Sequence, residues 1–104
     1  MFAGCKDFNS NISNWNMRNA ESCFNMFNGC HAFNCDLSEW KLPNLKDASN
    51  MFANCTVFSA DLSNWKLPKI YDVTNMFVNC PGFDTSCIEK WRISSKTDGY
   101  YEMY

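Results

Sequence analysis

The sequence predicts an α/β repeat solenoid of about four stacked units, and two observations carry this prediction. The motif Met-Phe-x-x-Cys-x-x-Phe occurs four times, beginning at Met1, Met26, Met51 and Met76, so that each start lies 25 residues after the one before. A tryptophan also recurs once in every copy, at Trp15, Trp40, Trp65 and Trp91. A fixed period of this length is typical of units that each stack on the next.

Aligning the copies predicts the core as columns of similar side chains. We expect one domain, residues 1–104, with repeats 1–25, 26–50, 51–75 and 76–93 and a C-terminal cap over 94–104. The fourth copy has one extra residue before its isoleucine, so its later columns are shifted by one place. The other apolar columns are Phe2/Phe27/Phe52/Phe77, Phe8/Phe33/Phe58/Phe83 and Ile12/Leu37/Leu62/Ile88.

Each repeat is expected to contain a short strand and a helical turn. Trp40-Lys41-Leu42 alternates apolar and polar residues, as does the same segment of the third repeat, and this favours a strand that stacks in a parallel ladder. Apolar residues between 50 and 58 are three to four positions apart, which favours a helical turn. Asn25, Asn50 and Asn75 precede that turn and are expected to be its N-caps, with Ser49 and Thr74 as competing candidates.

The repeat pattern resembles a known family. Phe-x-x-Asp-Leu-Ser-x-Trp-x-Leu-Pro followed by Asp-x-Ser-Asn-Met-Phe-x-x-Cys is similar to the BspA-type leucine-rich repeat of bacterial surface proteins, in the 25-residue subclass rich in Trp, Asn and Met-Phe. The similarity covers residues 1 to about 93. It implies a leucine-rich-repeat-like right-handed coil, an extracellular or cell-surface location, and a non-enzymatic role in adhesion or protein recognition.

Composition disfavours several other classes of function. The net charge is −2 with both signs mixed along the chain, and no basic stripe or RNA-binding aromatic motif is present, so we expect no nucleic-acid partner. No apolar stretch approaches the roughly 20 residues that a membrane span needs. No signal peptide precedes the first repeat, which leaves two alternatives: a piece of a longer exported array, or a product that begins here.

The two ends of the repeat array are expected to differ. Tyr100, Tyr101 and Tyr104 are expected to fold over the last repeat as a cap. The first repeat has no such cover, so an apolar face would stay open to another chain, giving a two-fold dimer or a filament. The residues expected on this assembly face are Met1, Phe2, Phe8, Ile12 and Trp15.

Four of the seven cysteines share one column: Cys5, Cys30, Cys55 and Cys80. The main expectation is a line of small buried thiols. Disulfides between neighbouring repeats are the alternative, because stacked strands would place the Cα atoms about 5 Å apart. Cys35 and Cys87 lie outside the columns, and an odd number leaves at least one thiol for a link between chains.

Metal binding and catalysis receive little support, and no cofactor is expected. The cysteine spacings do not match a structural zinc site, and His31 is the only histidine. A triad lacks any other conventional base. Paired carboxylates are available, but Asp36, Asp61 and similar residues recur in columns where turn formation explains them.

Asparagine columns are expected to link repeats through amide hydrogen bonds, with Asn9 and Asn34, Asn14 and Asn64, and the Asn25 column as examples.

The candidate binding residues are the outward positions of the predicted strand: Asn16, Lys41, Lys66 and Arg92. A solvated charged face is the plain interpretation of this strip. The functional interpretation is a recognition strip for an acidic protein or a glycan, with copies of the chain itself as the alternative partner.

Overall fold

The structure is a computed structural model that describes residues 2–104, and its regular elements are few. It contains two 3₁₀ helices, Thr85–Trp91 and Tyr100–Glu102. Isolated parallel bridges join Ser22 to Asp47, Asp47 to Asp72, and Asp72 to Asp98. These bridges lie one repeat apart, so the chain returns beside itself once in each copy of the sequence motif.

Backbone hydrogen bonds extend each bridge into a longer contact between neighbouring repeats. Around the boundary between the first and second repeats, the amides of alternate residues donate to carbonyls 24 positions later: Cys23 to Asp47 at 2.8 Å, Asn25 to Ser49 at 3.0 Å, Phe27 to Met51 at 2.9 Å and Gly29 to Ala53 at 2.9 Å. The same set recurs one repeat later, from Ala48, Asn50, Phe52 and Asn54. Bonding at every second residue is the pattern of parallel pairing.

The aromatic columns form the core between these backbone contacts. Phe52 lies against Phe27 and Phe77 with ring centroids 5.5 and 5.4 Å apart. Trp65 lies against Trp40 and Trp91 at 6.4 and 5.9 Å. The expectation that the recurring rings stack on one another is therefore confirmed for these columns.

The expected strand at the tryptophan is wrong. Residues 40–42 and 65–67 have the predicted alternation, since Trp40 and Leu42 are buried and Lys41 is exposed, but they make no backbone hydrogen bond to a neighbouring repeat. The amides of Trp40 and Trp65 donate instead within their own repeat, to the carbonyls of Leu37 and Leu62 at 3.1 and 3.0 Å. The indole supplies the link between repeats on this side: Trp65 Nε1 donates to the Leu37 carbonyl at 2.8 Å.

The expected helical turn after Asn50 is also wrong. Residues 49–54 form consecutive turns, not a helix, and Asn25, Asn50 and Asn75 have φ values of 61°, 56° and 54°. An N-cap residue has extended backbone, whereas these asparagines adopt the left-handed conformation that asparagine tolerates better than most residues. They turn the chain at the point where the backbone ladder between repeats forms.

The extra residue of the fourth copy produces the longer 3₁₀ helix. Asp84 caps it by accepting from the Ser86 amide, and Arg92 ends it with a left-handed backbone at φ 55°. After this helix the chain returns to the ladder, where Asn75 donates to Glu102 and Phe77 to Met103, both at 2.8 Å.

Residues 98–103 therefore continue the ladder, but the tyrosines do not supply the cover expected of them. Tyr101 and Tyr104 remain 84% and 68% exposed, and Tyr100 is only partly buried. Met103 is the buried residue of the segment, at 2% exposure. A flexible thioether fills an irregular gap more easily than a planar ring does.

Candidate recognition surface

The outward side of the tryptophan segments carries a line of positive charge. Lys41 and Lys66 each lie between two buried residues, so the alternation of the segment directs both side chains to solvent. Arg92 follows the buried Trp91 in the same column and is also exposed. Three of the four residues predicted as the binding strip are thus brought onto one surface.

Arg18 was missed by the sequence comparison, although it belongs to this surface. It occupies the column of Pro43 and Pro68, and its difference from them hid its relation to the lysines. Asn16, the fourth predicted residue, is also exposed but lines neither of the hollows described below, and its side-chain oxygen accepts from the Arg18 amide at 3.1 Å. We call Arg18, Lys41, Lys66 and Arg92 the basic strip.

Two shallow hollows lie along the basic strip and share Lys66. The first has a volume of about 470 Å³ and is lined by Arg18, Lys41, Lys66, the edges of Trp40 and Leu42, and the exposed Pro43 and Pro68. The second, of about 350 Å³, lies between Lys66 and Arg92 beside Trp91. Apolar walls with cations at intervals suit an extended acidic ligand, because the apolar side chains can cover the ligand's backbone while the cations contact its carboxylates.

The cations of the basic strip are free for a ligand. Within residues 2–104, the ion pair that forms is between Lys46 and Glu21, with Nζ 2.9 Å from Oε1. This contact lowers the pKa of the Glu21 carboxyl and raises that of Lys46. None of the four strip residues has a carboxylate within salt-bridge distance in this described part of the chain.

The cysteine column consists of thiols, all of them unpaired in the structure. Three point toward a phenylalanine carbonyl of the preceding repeat: Cys30 Sγ lies 3.0 Å from Phe2 O, Cys55 3.0 Å from Phe27 O, and Cys80 2.7 Å from Phe52 O. Burial raises the pKa of Cys55 to about 12 and that of Cys80 above its ordinary value. These thiols therefore stay protonated and act as weak donors between repeats.

Cys5 departs from the expectation of a buried column. It is exposed, because no described residue stacks on the side of the first repeat where its thiol lies, whereas the other six cysteines are buried. Alkylation by iodoacetamide at pH 8 is expected to modify one thiol rapidly and the other six only as fast as the protein unfolds. Mass spectrometry over time measures this, and Cys5→Ser should abolish the fast phase. Rapid modification of any cysteine in Cys5→Ser would contradict the assigned burial.

The expected assembly face is only partly presented by the first repeat. Trp15 is 40% exposed, compared with 3% for Trp40 and 1% for Trp65, and Phe2 and Phe8 are half-buried in a stacked pair 4.1 Å apart. Ile12 is not on this face, since it is 3% exposed. Met1 lies outside the described residues. We call the surface formed by Phe2, Phe8 and Trp15 the N-terminal face.

The family model for a Mycoplasma protein of unknown function, DUF285, matches residues 1–99. The chain belongs to the DUF285 family. No curated protein and no solved structure matches the chain. Family membership thus covers all four repeats of this DUF285 chain and most of the terminal segment, without assigning an activity to any residue in them.

A second line of charge on the DUF285 chain is explained by local structure. Asp36 and Asp61 each accept from the amide of the serine two residues on, at 2.9 Å, and this bond holds the pKa of both carboxyls below the ordinary value. Asp84 does the same with the Ser86 hydroxyl and amide. These are Asx turns, and residues 2–104 contain no cluster of three or more side chains arranged to hold a metal ion.

The asparagine columns differ in what they do. The Asn34 amide donates to Asn9 Oδ1 and the Ser59 amide to Asn34 Oδ1, both at 2.9 Å, so this column links three repeats as expected. No comparable bond joins Asn14 to Asn64 within the described chain.

Among residues 2–104, no helix has the length and apolar character that crossing a bilayer requires.

Proposed function

We propose that this DUF285 chain is a non-enzymatic recognition module whose repeats form a leucine-rich-repeat-like right-handed solenoid, and that its basic strip binds an acidic segment of a partner protein. The observation that carries the proposal is the group of four exposed cations, without an internal ion pair, beside two hollows with apolar walls. The resemblance to BspA-type repeats supports a location on exported or cell-surface protein.

The spacing of the basic strip favours an extended peptide as the ligand. The tryptophan rings next to Lys41, Lys66 and Arg92 have centroids 6.4 and 5.9 Å apart from one repeat to the next. In an extended chain, side chains on one face recur about every 6.6–6.8 Å, twice the rise of about 3.3–3.4 Å per residue. A peptide with carboxylates at alternate positions, lying along the stack of repeats, can therefore place one carboxylate near each cation.

Electrostatic complementarity of this kind sets specificity and association rate more than total affinity. The four charges face solvent, so salt screens them, with a Debye length of about 10 Å at 0.1 M. We therefore expect binding that weakens steeply as ionic strength rises.

The test is fluorescence anisotropy with a labelled peptide of alternating aspartate and serine. We expect Lys41→Glu with Lys66→Glu to weaken binding at least tenfold, because two attractive contacts become repulsive. The matched control is Lys6→Glu with Lys96→Glu, which makes the same change of charge at exposed residues outside both hollows. Equal losses in the two double variants would refute the strip as the site.

Arg92→Gly separates binding from folding. Glycine adopts the left-handed backbone of residue 92 without strain, so this variant should keep its stability while losing part of its affinity. A sulfated glycan that binds the wild-type chain more tightly than the peptide, with the same dependence on Lys41 and Lys66, would show that the ligand is a glycan and overturn the choice of peptide.

Self-assembly is the second candidate function, and Trp15 is the observation that favours it. Its ring is far more exposed than the equivalent rings of the next three repeats, which are all buried. A cover on the N-terminal face, whether from a second copy of the chain or from a further repeat of a longer array, would bury Trp15 in the same way.

A further inference from the structure

A column of aspartates runs along the stack of repeats, parallel to the basic strip. It contains Asp36, Asp61 and Asp84, which are all exposed, and we call it the acidic column. In each of the three, Oδ1 accepts from the amide of the serine two positions later, whereas Oδ2 takes part in no hydrogen bond within residues 2–104. The turn therefore fixes each carboxylate and leaves one oxygen for a donor on another molecule.

A tight turn separates the acidic column from the basic strip in each of the second and third repeats. Leu37 and Trp40 are buried on its inner side, and the Trp40 amide donates to the Leu37 carbonyl at 3.1 Å. Asp36 and Lys41 flank this turn and are both exposed. Asn64, in the turn of the third repeat, lines the first hollow of the basic strip and also a hollow of about 480 Å³ beside the acidic column. The two lines of charge are thus neighbours on the surface, on opposite sides of a corner of the chain.

The two lines of charge have nearly the same interval. Phe33, Phe58 and Phe83 come shortly before the three aspartates, and their ring centroids are 5.8 and 5.9 Å apart. The tryptophan rings beside the basic strip have centroids 6.4 and 5.9 Å apart. Because both lines recur once per repeat, the acidic column of one molecule can place carboxylates opposite successive cations of another.

Neither line of charge is neutralised by ion pairs inside the molecule. In the part of the chain that the structure describes, the ion pair that forms joins residues of neither line. Lys90 lines the hollow beside Asp61 and Asp84, which makes the fourth-repeat end of the acidic column less negative. Glu39 is exposed in the turn that follows Asp36 and adds to the negative charge there. The attraction for a basic surface is therefore greatest at the second and third repeats.

We infer that the basic strip also binds the acidic column of a second copy of this chain, so that two molecules associate side by side. The inference rests on the basic strip of the proposed function and adds a partner to it, without involving the N-terminal face. Each molecule carries both lines of charge on different sides of a corner, so a contact between two copies leaves one line free on each, and further copies can add. A second copy and an acidic peptide then compete for the same cations.

The experiment is sedimentation velocity on the full chain under reducing conditions, as a concentration series at two ionic strengths. At about 0.01 M salt, where the Debye length is about 30 Å, the average mass is expected to rise with concentration. At about 1 M salt, where the Debye length is about 3 Å, the chain should be a monomer. The peptide of alternating aspartate and serine, added at low salt, should return the assemblies to monomer.

Two double variants test the two sides of the contact. Asp36→Asn with Asp61→Asn removes two charges but keeps the turns, since an asparagine side-chain oxygen can still accept the serine amide. This variant should still bind the peptide. Lys41→Glu with Lys66→Glu changes the basic strip and leaves the acidic column intact. Each variant alone should associate about tenfold more weakly than wild type, or less still, because exposed charge pairs are lost or made repulsive. An equal mixture of the two should form 1:1 dimers, since one supplies the strip and the other the column.

The matched control is Asp7→Asn with Glu102→Gln, which removes two charges at exposed residues outside both lines and should associate as wild type does. An equal loss in this control would attribute the association to net charge and overturn the inference. Association that persists in both test variants would place the contact elsewhere and overturn it too. A wild-type chain that binds the peptide but stays monomeric at low salt would refute the second copy as a ligand and leave the proposed function standing. A chain that does neither would refute both.

Discussion

Replacing Gly99 by alanine is expected to detach the C-terminal segment from the fourth repeat and to lower the free energy of unfolding by about 4 kcal/mol or more. Gly99 has a φ of 76°, and a Cβ atom at this position would overlap the backbone of Thr74. The left-handed backbone alone costs an alanine about 1–2 kcal/mol. The overlap adds to this cost because the backbone of Thr74 is held in the ladder and cannot move aside.

Detachment would remove three backbone bonds, from Val73, Asn75 and Phe77 to the segment, and would expose Met103. Such bonds contribute about 0.5–1.5 kcal/mol each, and burying a methionine about 1.5–3 kcal/mol. Urea unfolding followed by circular dichroism measures the total. Hydrogen exchange at the three donor amides should lose its protection in the variant.

Gly4→Ala is the matched control for Gly99→Ala. Gly4 has the same φ of 76°, but a Cβ atom there would meet nothing within 4 Å. This variant should lose about 1–2 kcal/mol from backbone strain alone. If Gly4→Ala and Gly99→Ala lose equal stability, the close approach to Thr74 is not the reason that residue 99 is glycine.

Replacing Trp65 by alanine is expected to lower the free energy of unfolding by about 3–5 kcal/mol, the usual range for removing a buried aromatic ring. Trp65 is 1% exposed, stacks between Trp40 and Trp91, and donates to the Leu37 carbonyl at 2.8 Å. Domains of this size are stable by only about 5–15 kcal/mol, so much of the variant should be unfolded at moderate temperature. Thermal and urea unfolding provide the measurement.

Trp15→Ala makes the same substitution, tryptophan to alanine, at the N-terminal end of the same column. Because Trp15 is 40% exposed and has no tryptophan on its outer side in the described chain, its loss should cost about 1 kcal/mol, near the centre of the range for ordinary substitutions. Trp65→Phe keeps an aromatic ring but removes the indole N–H, so its loss of stability distinguishes the contribution of the hydrogen bond from that of ring packing. A loss in Trp15→Ala as large as in Trp65→Ala would contradict the open state of the N-terminal face.

Some of these contacts could be predicted because they depend on the period alone. If the chain returns to the same place every 25 residues, equal positions must lie side by side, and the stacked rings of Phe27 with Phe52 and of Trp40 with Trp65 follow. The link from Asn34 to Asn9 follows in the same way. The exposure of Lys41 and Lys66 was readable from alternation, since both neighbours of each are apolar.

The errors have a common cause, which is that a pattern within one repeat does not report the distance to the next. Trp40-Lys41-Leu42 has the alternation of a strand, yet the Trp40 amide donates to Leu37 within its own repeat, and the segment makes no backbone bond to a neighbouring repeat. Apolar spacing after Asn50 suited a helix, yet left-handed asparagines at 50 and 54 interrupt any helical run. Arg18 escaped notice because the column comparison searches for likeness, and this residue differs from the prolines beside it.

The sequence by itself determined which side chains would contact each other across repeats. The same residue type recurs at a constant interval, and this recurrence indicates the contacts without any knowledge of the backbone geometry. Only the tertiary structure decided where the backbone ladder forms and which cations share a hollow. Those properties depend on the distances between neighbouring turns of the chain. Hydrogen bonding is sensitive to those distances, whereas the order of residues along the chain does not specify them.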